Sequence, residues 1–149
     1  MSTHHQLLYH IVFSTKYRNA CLSAELLKRV CAYMVGVCKK LDGFALIANG
    51  HVDHVHLLVR IPTKISVADF VGKVKANSSK KVNDSKVLDF AFSWQDGYGA
   101  FTVSMSDKDQ VYQYISNQEE HHQKQTFEDE YLGLLAKHQV DYDPKYVFD

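Results

Sequence analysis

Apolar and polar positions alternate through His51-Val-Asp-His-Val-His-Leu-Leu-Val-Arg60, and that period of two predicts a half-buried strand. Val55, Leu57, Val59 and Ile61 fall on the face suited to a core, while His54, His56, Leu58 and Arg60 share the other. Pro62 closes the strand. Leu7 to Phe13 reads as a buried first strand. Phe44 to Ala48 is a short apolar run, followed by Asn49-Gly50, a hairpin turn signal. Phe90 to Trp94 and Ala100 to Ser104 are strand-like and flank a turn at Asp96-Gly-Tyr-Gly99.

Between the strands the period changes to that of a helix. Ser23 is a predicted N-cap, and Leu26, Leu27, Val30, Met34, Val37 and Leu41 mark one stripe, ended by Asp42-Gly43. Ser66 and Asp69 form a predicted capping box ahead of Val67, Phe70, Val71 and Val74. A third helix is expected over about 107–123 and a fourth from Thr126 to His138, with Phe127, Tyr131, Leu134 and Leu135 as its apolar side. The remaining tail, through 149, carries three large aromatics and is expected to pack. The order β-α-β-β-α-β is the split βαβ arrangement, an α+β ferredoxin-like or RRM-like fold with an antiparallel sheet. Two helices would cover one sheet face. The other would stay open, with His54 and His56 projecting toward it.

A chain of 149 residues is about one domain, read here as 1–149 with a C-terminal extension over about 126–149. Hydrophobic content of 46% with 23% charged residues points to a soluble globular protein. Lys plus Arg and Asp plus Glu number 17 each, so net charge does not announce a nucleic-acid partner, and local charge must be read instead. Basic residues gather at Lys16-Tyr17-Arg18 and at Lys73, Lys75, Lys80 and Lys81. No signal-peptide core and no apolar stretch of ~20 residues is present, so a cytoplasmic protein is expected. Cys21, Cys31 and Cys38 lack metal-type spacing and fit a reducing compartment.

Two imidazoles side by side on a strand can share a metal ion, or simply form a polar face. Tyr114 and Gln118 are four apart on the third helix and so stand on one side of it. A tyrosine oxygen can act as a nucleophile and an amide oxygen can complete a metal site, but a core stripe with a solvated glutamine explains the same spacing.

Several ordered motifs together bring a resemblance. Asp53-His-Val-His-Leu-Leu-Val59, Tyr114-Ile-Ser-Asn-Gln118, Tyr9-His-Ile-Val-Phe-Ser-Thr-Lys-Tyr-Arg18, Val71-Gly-Lys-Val-Lys75 and Gly97-Tyr-Gly-Ala-Phe101 resemble the single-domain HUH tyrosine transposases of the insertion sequence 200/605 family. The residue before Asp53 is usually proline in that family and is Val52 here. The resemblance implies metal-dependent cleavage and rejoining of single-stranded DNA at hairpin-bearing element ends, through a 5′-phosphotyrosine link. It implies His54, His56 and Gln118 as ligands of Mg²⁺ or Mn²⁺ and Tyr114 as nucleophile. It also implies a homodimer with sites shared in trans, and DNA contacts from Lys16, Tyr17, Arg18, Lys73, Lys75, Lys80 and Lys81. Asp53 is expected to orient the turn, and His121 and His122 are expected to have no catalytic role. Two rivals stay open: a domesticated relative that processes chromosomal palindromic repeats, and a non-catalytic RRM-like nucleic-acid-binding module.

Overall fold

β1 (Leu8–Ser14) is the strand on which the sheet is built. It pairs antiparallel with β3 (His54–Arg60) on one side and β4 (Gly99–Thr102) on the other, and β2 (Phe44–Gly50) flanks β3, giving the order β2-β3-β1-β4. This is a computed structural model, and it describes residues 1–148. Asp149, the end of the predicted tail, lies outside the described residues.

α1 (Ala24–Lys40) starts where Ser23 Oγ accepts the Leu26 N–H at 3.2 Å, and α2 (Val67–Ser85) where Ser66 Oγ accepts the Asp69 N–H at 3.0 Å. Both caps were legible in the chain, because a serine oxygen satisfies a backbone donor that the first helical turn leaves unpaired. The two helices pack side by side on one sheet face. Val30, Met34, Phe70 and Val74 meet Ile11, Phe13, Val55 and Leu57 there. Each such side chain contributes about 1.5–3 kcal/mol by leaving water, which makes this layer the rigid floor of the molecule. Trp94 extends it, edge-on to Phe13 and donating its indole N–H to Ser78 Oγ at 3.0 Å.

The α+β, split βαβ fold is as expected, but four local expectations change. Asn49 and Gly50 are the last residues of β2 rather than the turn, which lies at 51–53 and is closed by His51 N–H donating to the His54 carbonyl at 3.0 Å. Gly50 is needed for close approach: a Cβ there would sit 2.1 Å from that carbonyl oxygen. Phe90 to Trp94 forms no strand, and only Trp94 bridges Thr15. Phe92 and Trp94 instead fold inward onto the core. The helix expected over about 107–123 is two helices, α3 (Lys108–Ser116) and α4 (Gln118–His121). The Asn49 side chain donates to the carbonyls of Ile115 and Ser116 at 3.0 and 3.3 Å, which takes up acceptors at the break.

The fourth change matters most. The second sheet face is not open. α3 and α5 (Phe127–Lys137) cover it, leaving His54 and His56 with no solvent exposure. That face also presents Leu8, Leu58, Val12 and Phe101. Ile115 packs with the first two, and Phe127 and Leu135 pack with the last two. Apolar residues on both faces demand a layer on both. The tail packs in part, with Phe148 against Phe127 and Tyr131, while Tyr142 and Tyr146 stay exposed. No helix of the described residues is long and apolar enough to cross a membrane.

Candidate active site

The strand register brings three histidines together. Val12 lies opposite His56 and Ser14 opposite His54, so His10, His54 and His56 share the face under α3 and α5. Each ring is held from behind. Asp53 Oδ1 lies 2.8 Å from His54 Nδ1, and His10 Nε2 lies 2.8 Å from His56 Nδ1. The Nε2 atoms of His54 and His56 therefore point forward, toward the helices. Rings fixed through one nitrogen with the other aimed at a common point are the arrangement metal-binding histidines use.

α5 delivers Glu130 to that point. Its Oε1 lies 3.2 Å from His54 Nε2, 3.0 Å from His56 Nε2 and 3.0 Å from His122 Nε2. Its Oε2 accepts the Tyr114 hydroxyl and, at 3.0 Å, the Gln118 amide N–H. The Gln118 Oε1 in turn lies 3.0 Å from His54 Nε2. One carboxylate therefore joins the histidines to the tyrosine. Tyr114 is half-buried, and the His121 ring stacks on it with centroids 4.6 Å apart.

Charge states follow from these partners. Both His54 nitrogens face acceptor oxygens, so both carry protons. Burial pulls its pKa down, but hydrogen bonds to Asp53 and Glu130 outweigh this and raise it to about 9. Burial would raise the Glu130 carboxyl, yet hydrogen bonds from His122, His54 and His56 hold it well below the usual carboxylate range. Burial lowers His56, more than Glu130 restores, and burial together with His56 lowers His10 further, so both rings are neutral. Neutral His56 donates from Nε2 to Glu130 and accepts at Nδ1 from His10. Burial, then the Glu130 hydrogen bond and charge, push the Tyr114 phenol above its ordinary value. The set is a buried imidazolium–carboxylate pair with a neutral phenol hydrogen-bonded to it.

Of the residues singled out in the sequence, His54, His56, Tyr114 and Gln118 are brought together. They meet within one chain. His122, expected to have no catalytic role, is buried against Glu130 and stacks on His51. Asp53 orients the His54 ring rather than the turn alone. Glu130 and His10 were missed. Glu130 did carry a signal: it stands with Phe127, Tyr131 and Leu134 on the apolar side of α5, where a carboxylate has no place without a partner.

Several of the basic residues are engaged within the chain. The α2 lysines lie in the helical layer across the sheet from the histidines. Lys75 donates to the Gln95 and Gly97 carbonyls at 2.6 and 2.7 Å, and Lys80 pairs with Asp84 at 2.8 Å. Arg18 pairs with Glu128 at 3.2 Å and donates to the Phe148 carbonyl at 3.0 Å, which ties it to the C-terminal extension. Tyr17 is 84% exposed, with Lys16 over its ring, while Lys81 stands over Tyr33. Lys73 is exposed. Beside Tyr114 a cavity of about 300 Å³ opens, lined among others by His10, Gln110, Glu130, Lys137 and His138.

Comparison with known proteins gives this geometry its context. The chain is 32% identical over 115 residues to the transposase for insertion sequence element IS200 of Salmonella typhimurium, covering 74% of this chain and 75% of that one. It is 25% identical over 119 residues to the ISDra2 transposase TnpA of Deinococcus radiodurans, covering 76% and 85% respectively. Among solved structures, the REP-associated tyrosine transposase bound to a REP hairpin shares the fold, with a TM-score of 0.61 at 12% identity over 82% of this chain and 74% of that one. A chain from Deinococcus radiodurans R1 superposes with a TM-score of 0.65 at 25% identity, over 79% of this chain and 95% of that one. The family model described as "Transposase IS200 like" matches residues 3–118, from ahead of β1 through Gln118, and with it the chain belongs to the IS200-like transposase family.

Proposed function

We propose that the protein cleaves and rejoins single-stranded DNA at hairpin-bearing element ends, with Tyr114 as nucleophile. The observation that carries this reading is the convergence of Tyr114, Gln118, His54 and His56 on one buried carboxylate. A buried cluster of this kind is costly to assemble, and a fold-stabilising core would be better served by apolar side chains. The neighbouring cavity supports the reading, since it leaves space beside Tyr114.

Tyr114 Oη attacks the scissile phosphorus, the bond from phosphorus to the 3′ oxygen breaks, and the phenolic proton ends on the departing 3′ hydroxyl. A 5′-phosphotyrosine link results. Attack by a different 3′ hydroxyl reverses the step, so one phosphodiester replaces another and no nucleotide triphosphate is consumed. Glu130 aims the phenol oxygen through its hydrogen bond and, by its charge, keeps the proton on it until a phosphate arrives. His10 and Asp53 fix the ring orientations of His56 and His54.

His54, His56 and Gln118 would hold a divalent cation, Mg²⁺ or Mn²⁺, since two imidazole nitrogens and an amide oxygen already face one small region. Such a cation supplies charge to polarise the phosphate and orient it for in-line displacement. A homodimer belongs to this reading, with each site completed by its own chain. Lys16, Tyr17, Lys73 and Lys81 are the DNA contacts best placed to act, because Arg18, Lys75 and Lys80 are engaged within the chain.

The deciding experiment incubates the protein with single-stranded element-end DNA and Mn²⁺ and looks for a covalent adduct on a denaturing gel. Tyr114→Phe should abolish the adduct and Tyr112→Phe should retain it. An adduct that survives Tyr114→Phe assigns the chemistry to another residue.

A further inference from the structure

We propose that the segments after residue 118 convert the two-histidine strand into a centre built on His54, His122 and Glu130, with His56 beside it, which takes a first-row transition-metal cation without DNA. The proposal rests on the reading of His54 and His56 as metal ligands and extends it to residues beyond 118, where the family match ends.

The geometry carries it. The Nε2 atoms of His54, His56 and His122 all lie within 3.2 Å of Glu130 Oε1. The ligand atoms of His54, His122 and Glu130 lie within 4.8 Å of one another. Three imidazoles from two segments hydrogen-bond to one carboxylate oxygen, and a cation that displaces their Nε2 protons would find the same ligand atoms gathered. The two carboxylate oxygens also divide their partners. Oε1 faces the histidines, while Oε2 is kept by Gln118 and Tyr114. That division presents Oε1 to a cation with its lateral position already fixed, as an outer partner does for a ligating carboxylate. Asp53 and His10 do the same for the two strand histidines.

The donor chemistry sets the cation. Mg²⁺ keeps its waters and wants oxygen ligands in a near-ideal octahedron, which three imidazoles do not offer. Imidazole nitrogens with a carboxylate suit Mn²⁺, Co²⁺ and Ni²⁺, in that order of increasing affinity, and also Zn²⁺. Two histidines and an amide carry no negative charge and would depend on a DNA phosphate to complete the site. Glu130 provides that charge from within the chain, so the cation need not wait for substrate.

The test is a titration of the full chain with Co²⁺ in the absence of DNA, followed by visible absorption, whose ligand-field bands report imidazole and carboxylate coordination independently of cleavage. Wild type should bind one Co²⁺ per chain, and millimolar Mg²⁺ should fail to displace it. His122→Asn and Glu130→Gln should each weaken binding about tenfold or more, since loss of an outer partner alone costs roughly 10–100-fold. The two variants lie on different segments, so a folding defect in one leaves the other to decide. No Co²⁺ binding without DNA would overturn the proposal and leave the two-histidine site with a DNA phosphate standing. Binding that is lost in His54→Ala but unchanged in both His122→Asn and Glu130→Gln would also overturn it. Binding indifferent to all three variants would place the cation elsewhere and reject the centre. Failure of the cleavage chemistry is read separately, from an adduct that survives Tyr114→Phe.

Discussion

Gly50→Ala tests how the histidine strand is held. Gly50 ends β2, pairs with Val55 and lies against the first residue of β3. Its backbone does not need the left-handed region, so the argument is one of space. An added Cβ would meet the His54 carbonyl oxygen at 2.1 Å and the Val55 Cα at 2.9 Å, both backbone atoms. An ordinary carbon–oxygen contact is about 3.3 Å or more, so the strands must part by about 1.2 Å. Overpacking of that kind costs about 1–3 kcal/mol, and loss of the bond from His51 N–H to the His54 carbonyl adds about 1 kcal/mol. The expected destabilisation is therefore about 2–4 kcal/mol. Gly36 in α1 and Gly72 in α2 are matched controls, because a Cβ on either meets nothing within 4 Å. Both are exposed helix-interior positions, where Ala should stabilise by about 0.5–1 kcal/mol. Urea unfolding measures all three. With a slope of about 2 kcal/mol per molar, Gly50→Ala should lower the midpoint by about 1–2 M while the controls raise it slightly. Because His54 moves with its carbonyl, adduct formation should fall as well. A Gly50→Ala midpoint indistinguishable from the controls would refute the close-approach account.

Three further outcomes are expected. In EDTA, the His54 pKa of about 9 against 6.5 for the free group makes its contribution full below pH 6.5 and lost as pH rises through 9; that contribution is about 3 kcal/mol, and urea unfolding of His54→Gln across that range should lack the decline. Arg18, Lys75 and Lys80 have partners in the chain, leaving Lys16, Lys73 and Lys81 for phosphates; at about 0.7 each the slope of log K against log salt should be about 2 in magnitude, and anisotropy titrations giving 4 or more would reject this division. Because the set is complete within one chain, co-folded His54→Ala and Tyr114→Phe proteins should give only background adduct, whereas recovery of about a quarter of the sites would show that they are shared between subunits.

The sequence alone determined what local periodicity can encode. The alternation through β3 placed His54 and His56 on one face, because successive strand residues point to opposite sides. Ser23 and Ser66 marked helix starts, because an unpaired N–H needs an oxygen nearby. The spacing of Tyr114 and Gln118 placed them on one side of the chain even though the helix breaks between them at Asn117. Only the tertiary structure decided what those residues face. Glu130 is 74 residues from His56, and no short-range pattern links them. It reaches the histidines because Phe127 and Leu135 fasten α5 over Val12 and Phe101, and that docking also closes the face expected to be open. The same limit applies to Asn49 and Gly50. Their pairing reads as a turn in one dimension, but in three dimensions one takes up carbonyls at the end of α3 and the other gives β2 room beside the His54 carbonyl. Periodicity fixes the direction in which a side chain points, and packing between distant segments fixes what it meets.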